Sequence, residues 1–203
     1  MSKSKENDEV AQEKLVILTK FLKEAPFDRW SESNLNKAAK ACGFEEAYVL
    51  LLFPNGIEDL TKFFYERMNE QMNKNFDPNL YTKTNEKIAY LIGLKLKLYQ
   101  PIREAIRSLL HYNLMPQNIC RVQQSVWQSC DQIWYLAGDR STDYNYYTKR
   151  ALLEAVYSSS LLYWLADDSE NYSATEEFIK RKIADVGKIG KFKASILKFF
   201  KGV

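Results

Sequence analysis

Apolar residues in this chain recur every three or four positions for almost its whole length, and no succession of alternating strands appears. That rhythm lines one face of a helix and cannot line one face of a sheet, so the predicted fold is all-α, with about ten helices. The scarcity of turn formers agrees: 7 Gly and 5 Pro in 203 residues are too few for a many-stranded sandwich or barrel. A chain of this length is expected to form one domain that buries roughly 70% of its unfolded surface. With 29 Lys+Arg against 26 Asp+Glu, the net charge of +3 makes no general case for a nucleic-acid binder. Cys42, Cys120 and Cys130 are odd in number and apolar in setting, which reads as reduced core thiols in a cytosolic compartment.

No stretch approaches the roughly 20 apolar residues of a membrane-spanning helix. The first fourteen residues, MSKSKENDEVAQEK, mix Lys with four acids and have no apolar centre, so they read as neither a secretory signal nor a transit peptide. Residues 1–9 read as a polar tail. Leu15, Leu18, Phe21 and Leu22 mark a first helix closed by Pro26, and Leu35, Ala38, Ala39 and Cys42 a second, capped by Ser31 or Ser33. Gly43 breaks the chain before a short segment Glu45–Phe53, which suggests a helix-turn-helix within residues 10–75. After the turn Pro54-Asn55-Gly56 comes a long helix Ile57–Asn75, then Lys83–Tyr99, Ile102–Tyr112, Gln117–Ala137, Asp143–Asp167 and a last segment from about Thr175. Residues 76–172 form the rest of the same domain, and 173–203 a separate C-terminal helix.

Most enzymatic chemistries lack their parts. His111 is the only histidine, and no second His or Cys stands at ligand spacing, so neither a metal site nor a histidine-paired nucleophile can be assembled. The adjacent pairs Glu45-Glu46 and Asp167-Asp168 point to different sides of a helix. No phosphate-binding glycine motif occurs. The chain is expected to be no enzyme, with no catalytic residues, metal or cofactor.

The helix-turn-helix invites a DNA-binding reading, and charge tests it. DNA recognition needs positive charge to meet phosphates. Glu24–Leu60 carries Arg29, Lys37 and Lys40 against Glu24, Asp28, Glu32, Glu45, Glu46, Glu58 and Asp59, a net of −4. The candidate recognition helix, Glu45–Phe53, has two carboxylates and no Lys or Arg. The layout resembles TetR-type regulators, which commonly place a phosphate-binding Lys just after the Phe-containing turn; this chain has Asn55-Gly56 there. Nucleic acid is therefore not an expected partner.

The densest stretch is Ile133–Leu165. Around its corner, Asp139–Tyr147, acids, Arg, Asn and aromatics crowd together, a composition typical of interface anchors. Here a resemblance becomes specific. WYLAGDRSTDYNYYTKRALLEAVYSSS is similar to the signature of the ubiquinone-biosynthesis lipid-binding family, the coenzyme Q "Q-nine" proteins, and LFPNGIEDL and EFIKRKIADVGKIGK resemble two further motifs of that family. The likeness runs from about residue 10 to 191. It implies a TetR-like all-α fold that has lost DNA binding, an isoprenoid lipid held where a regulator holds its effector, and assistance to the di-iron hydroxylase that acts on demethoxyubiquinone. The corner residues Asp139, Arg140, Asp143, Tyr146, Tyr147 and Arg150 would meet that hydroxylase. Where some members have Trp-Tyr before Thr-Lys-Arg, this chain has Tyr146-Tyr147.

Glu176–Lys201 carries eight basic residues and three acids, net +5, with Phe178, Ile179, Ile183, Val186, Ile189, Ile196, Leu197 and Phe200 on one broad side. A basic amphipathic helix suits an anionic membrane surface. Phe178, Ile183, Lys191, Phe192, Ile196, Phe199 and Phe200 are the expected membrane contacts, with a hinge near Gly187–Gly190, since each glycine costs about 1 kcal/mol of helix. Packing of this face on its own domain or on a second copy stays open.

Together these features suggest a lipid-binding accessory protein at the inner membrane of a bacterium. A polyprenyl chain costs about 0.8 kcal/mol per CH₂ exposed to water, so an apolar slot between helices could draw a head group out of the bilayer. Leu94, Leu98, Val126, Trp134, Val156, Ser159 and Tyr163 are the expected lining. A TetR-like repressor sensing an apolar ligand and a purely structural subunit remain the alternatives.

Overall fold

The computed structural model describes the backbone of residues 2–140 and 144–201 and the side chains of residues 7–140 and 146–187. Among the described residues there are nine α-helices, three short 3-10 turns and no strand, as the periodicity predicts. The helices are α1 (Ser2–Asp28), α2 (Glu32–Ala41), α3 (Glu46–Leu52), α4 (Ile57–Asn75), α5 (Thr84–Tyr99), α6 (Arg103–Asn113), α7 (Ile119–Leu136), α8 (Tyr144–Ala166) and α9 (Ser173–Lys201). The chain forms two compact units. One takes residues up to Glu70 and Tyr99–Ser125; the other takes Gln71–Leu98 and residues from Val126 on.

The first unit is built on α1, which turns Ile17, Leu18, Phe21 and Ala25 inward at helical spacing. It starts at Ser2, so the polar segment expected as a tail stands on the first turns of this helix. Nor does Pro26 stop it: the proline sits in the last turn, where one lost hydrogen bond is tolerable, and the helix ends two residues later, before Arg29 at φ 64. Ser31 caps α2 by accepting the N–H of Asn34 at 3.2 Å. Gly43, at φ 84, closes α2: its N–H reaches the Lys40 carbonyl and that of Phe44 the Ala39 carbonyl, the paired bonds of a Schellman cap. The core is aromatic. Trp30 packs edge-on against Phe21 and Phe64, with ring centroids 4.8 and 5.5 Å away, and donates its indole N–H to Thr61 Oγ1 at 2.7 Å.

The second unit buries Ile88, Leu91, Ile92 and Leu96 of α5, Cys130 and Ile133 of α7, and Leu153, Val156, Tyr157, Trp164 and Leu165 of α8. Gly138, at φ 94, ends α7 with the same paired bonds, from its own N–H to Tyr135 and from Asp139 to Trp134. Of the three thiols expected in the core, only Cys130 is buried; Cys42 is half-buried and Cys120 exposed, because Cys120 falls on the outer face of α7.

Asp167 joins α8 to α9. Its carboxylate accepts the N–H of Ser169 at 2.8 Å, the N–H of Thr175 at 2.8 Å and the Thr175 hydroxyl at 2.5 Å. Burial alone would raise its pKa, but the bonds from Ser169 and Thr175 prevail and hold it at about 2. The stabilisation from Asp167 is therefore present above its ordinary value near 3.8 and lost as pH falls through about 2. The α9 backbone runs unbroken through Gly187 and Gly190, where the sequence suggests a hinge.

Candidate functional site

The α7–α8 corner is held by one buried guanidinium. Arg150, 3% exposed, donates Nε–H to Asp131 Oδ1 at 2.6 Å and an NH1 proton to Asp139 Oδ2 at 3.1 Å. Its Cζ lies 3.5 Å from the centroid of the Tyr146 ring, a cation–π stack, and the Tyr146 hydroxyl donates to Asp131 at 3.0 Å. That bond raises the Tyr146 pKa above its ordinary 10, because Asp131 holds the phenolic proton. Lys149 reaches Asp139 Oδ1 at 2.6 Å and lies 5.4 Å over the Trp134 ring, while the Trp134 indole donates to the Lys149 carbonyl at 3.1 Å. Arg140 turns outward and stacks on Tyr135, 4.3 Å from its ring.

The corner residues predicted as one docking set thus divide. Asp139 and Arg150 are internal and fix the corner, Tyr146 is half-buried between them, and Arg140 and Tyr147 are exposed. Asp143 lies outside the described residues. Tyr147 is 62% exposed, against Tyr146 at 5.1 Å and Trp127 at 6.3 Å between ring centroids. Of two successive aromatics about 100° apart on a helix, one lies against the corner and the other faces out. Asp131, which the sequence reading overlooks, is the second carboxylate of the network; it is the single acid of α7 and its side chain stays 44% exposed, so nothing local marks it as a partner of Arg150.

Among the expected slot residues, Val156 is buried and Leu94, Leu98 and Val126 are half-buried. The Ser159 hydroxyl is turned onto its own helix, donating to the carbonyls of Ala155 at 2.7 Å and Val156 at 3.0 Å. Trp134 belongs to the corner. Tyr163 is an exposed rim residue, stacked on Phe178 of α9 at 4.4 Å. Phe178, read from the sequence as facing the membrane, is therefore a packing residue of the α8–α9 pair, and beside it Ile179 is 2% exposed. Ile183 is half-buried; the side chains of Lys191, Phe192, Ile196, Phe199 and Phe200 lie outside the described ones. No described helix is long and apolar enough to cross a membrane.

The helix-turn-helix of α2 and α3 is followed by α4, and its surface carries apolar and acidic groups. α3 exposes Tyr48, Leu50 and Leu51, and the Tyr48 hydroxyl is tied to Glu13 at 2.6 Å. At the start of α4, where an incoming phosphate would seek backbone N–H groups, the chain's own acids stand: Glu32 accepts the N–H of Ile57 at 2.9 Å and Asp59 that of Asn55 at 2.8 Å. Gly56, at φ 57, leaves the space the Glu32 carboxylate fills.

Comparison with known proteins fits this geometry. The COQ9 family model matches residues 119–190, which span α7, the corner, α8 and the packed half of α9. The ubiquinone biosynthesis protein coq9 of Schizosaccharomyces pombe, a mitochondrial protein, is 27% identical over 200 residues, covering 98% of this chain and 79% of the relative. The chain is similar to COQ9 proteins. Human mitochondrial COQ9 is 26% identical over 196 residues, 91% of this chain, which spans 61% of the human protein's length. The TetR transcriptional regulator from Nitrosomonas europaea superposes with a TM-score of 0.68 at 19% identity, over 84% of this chain and 95% of the regulator, so this chain has a TetR-like fold.

Proposed function

We propose that this chain is a non-catalytic accessory protein of ubiquinone biosynthesis, which binds an isoprenoid quinone intermediate at a membrane and presents it to the demethoxyubiquinone hydroxylase. The observation that carries this reading is where the family match falls: on the α7–α8 corner and its flanking helices. The regulator-like half instead offers Leu50, Leu51 and a capped, acidic α4 start in place of phosphate-binding chemistry. Mass spectrometry of an organic extract of the purified protein tests it. A co-purifying quinone or isoprenoid supports the reading, and its absence from protein prepared with membranes present counts against it. Steeply salt-dependent, sequence-specific DNA binding would favour the regulator instead.

The corner is the docking surface in this reading, with Tyr147 its exposed anchor. Truncating an interface aromatic of this kind costs about 2 kcal/mol or more, roughly thirtyfold in affinity. Tyr147→Ala should weaken hydroxylase binding by that factor while leaving the melting temperature and lipid content unchanged, because the ring supports little of the corner itself. Undiminished affinity in a binding titration rejects the docking role.

Membrane attachment is assigned to the part of the C-terminal helix beyond its packed first half. Removing residues 188–203 takes away five of the eight basic groups and spares Phe178 and Ile179. This truncation should abolish sedimentation with anionic vesicles and move the thermal transition little. Persistent sedimentation would place the membrane contact elsewhere.

A further inference from the structure

Lys95 is fully buried in the second unit, at 0% exposure. It stands on α5 one residue after Leu94 and three before Leu98, on the inward face that begins at Ile88 and Leu91. Its Nζ lies 2.7 Å from Ser129 Oγ on α7 and 5.4 Å from the centroid of the Tyr157 ring on α8. Cys130 follows Ser129 along α7 and is also fully buried. Three helices therefore bring an amine, a hydroxyl and an aromatic ring together in a unit whose buried residues include Leu91, Ile92, Ile133, Leu153 and Val156. Helix periodicity would accept a leucine at position 95, which would extend the Ile88–Leu91 stripe at no cost in desolvation. Burying an amine there is expensive.

We propose that Lys95 and Ser129 form the head-group subsite of the lipid-binding unit, donating hydrogen bonds to the oxygen substituents of an aromatic or quinonoid ring carried on an apolar chain. This rests on the lipid-binding reading above and deepens it. A polyprenyl tail has no acceptor for an N–H or O–H donor, whereas a phenol or quinone ring has several, and its face matches the Tyr157 ring. Aliphatic walls with donors gathered at one point suit a ligand that is hydrocarbon over most of its length and oxygenated at one end. The subsite would thus select the ring, and the surrounding leucines, isoleucines and valines would accept isoprenoid chain with little discrimination.

The test uses the full chain and two probes: a ubiquinone analogue with a short isoprenoid tail, and the isoprenoid alcohol of the same tail length. The wild-type protein should bind the quinone at least tenfold more tightly than the alcohol. Lys95→Met should lose ten- to a hundredfold in quinone affinity and keep its alcohol affinity, and Ser129→Ala should shift the same ratio in the same direction. A thermal melt of each variant confirms that it folds. Unchanged quinone binding by both variants, or equal loss of both probes, overturns the subsite while leaving lipid binding standing. Failure of the wild-type protein to bind either probe overturns the lipid reading and the subsite with it.

Discussion

Replacing Arg150 with Met should lower the stability of the chain by about 3–5 kcal/mol, the usual cost of stranding one side of a buried ion pair. For a chain of this size that corresponds to a fall of roughly 10 °C in melting temperature. Arg150 and Asp139 have side chains only 4% and 6% exposed, so neither can turn to water when its partner is removed. Methionine fills the space of the stem but withdraws the guanidinium from Asp139, from the Tyr146 ring and from Asp131. Asp139→Ala should cost less than the Arg150 variant, since Arg150 keeps Asp131 at 2.6 Å. Denaturant unfolding with the melting temperature checks both. A loss below about 1 kcal/mol for Arg150→Met would show that the corner is solvated and that the network is not its frame. Because Tyr147 is presented by this frame, the same variant should also weaken partner binding, which Tyr147→Ala does without destabilising the fold.

The helices themselves were legible in the sequence because each carries its own signal. Ser31 and Gly43 stand at the cap and the break that the sequence predicts, and the Leu60, Phe64 and Ile88, Leu91, Ile92 spacings face inward as the 3.6-residue period requires. The motif at the corner was also readable, but the division of labour within it was not. Asp139 and Arg150 look like surface charges in a string of letters, and their burial follows from Asp131, which lies 19 positions before Arg150 and meets it only through tertiary packing. The same limit explains Phe178. On a helical wheel it lies on the apolar side of a basic helix, and nothing local says that Tyr163 will cover it. Pro26 and Gly187 are the converse: each disfavours helix locally, and the helix passes through both. Lys95 shares the face of Ile88 and Leu91, four and seven residues before it, so its inward position could have been read from spacing alone.

That inward lysine makes stability depend on pH in a direction opposite to the usual acid-labile carboxylate. Burial is the dominant influence on the Lys95 amine and lowers its pKa from 10.5 to about 7. In the unfolded chain the amine is protonated up to about pH 10.5, whereas in the folded chain it gives up its proton near pH 7. Between these values the unfolded state binds more protons, so stability should rise as pH increases from 7 towards 10. Integrated across that window, the wild-type chain should gain roughly 3–5 kcal/mol relative to Lys95→Met, whose side chain has no proton to exchange. The penalty is complete below pH 7, where the methionine variant should be the more stable protein. Two other groups close the window from above. Burial pushes the Cys130 thiol up to about 12, and it does the same to the Tyr65 phenol, so both favour the folded state less as pH climbs beyond their ordinary values of 9 and 10. Both remain in the variant, so subtracting its stability curve from that of the wild-type chain leaves the lysine together with its coupling to the neighbouring Cys130 thiol. Denaturant unfolding at about pH 6, 7, 8 and 9 is enough to draw the difference. A flat line would show that the amine stays charged in the folded chain; a slope of the stated sign would show that the interior holds a neutral amine at pH 8, able both to donate and to accept a hydrogen bond beside Ser129.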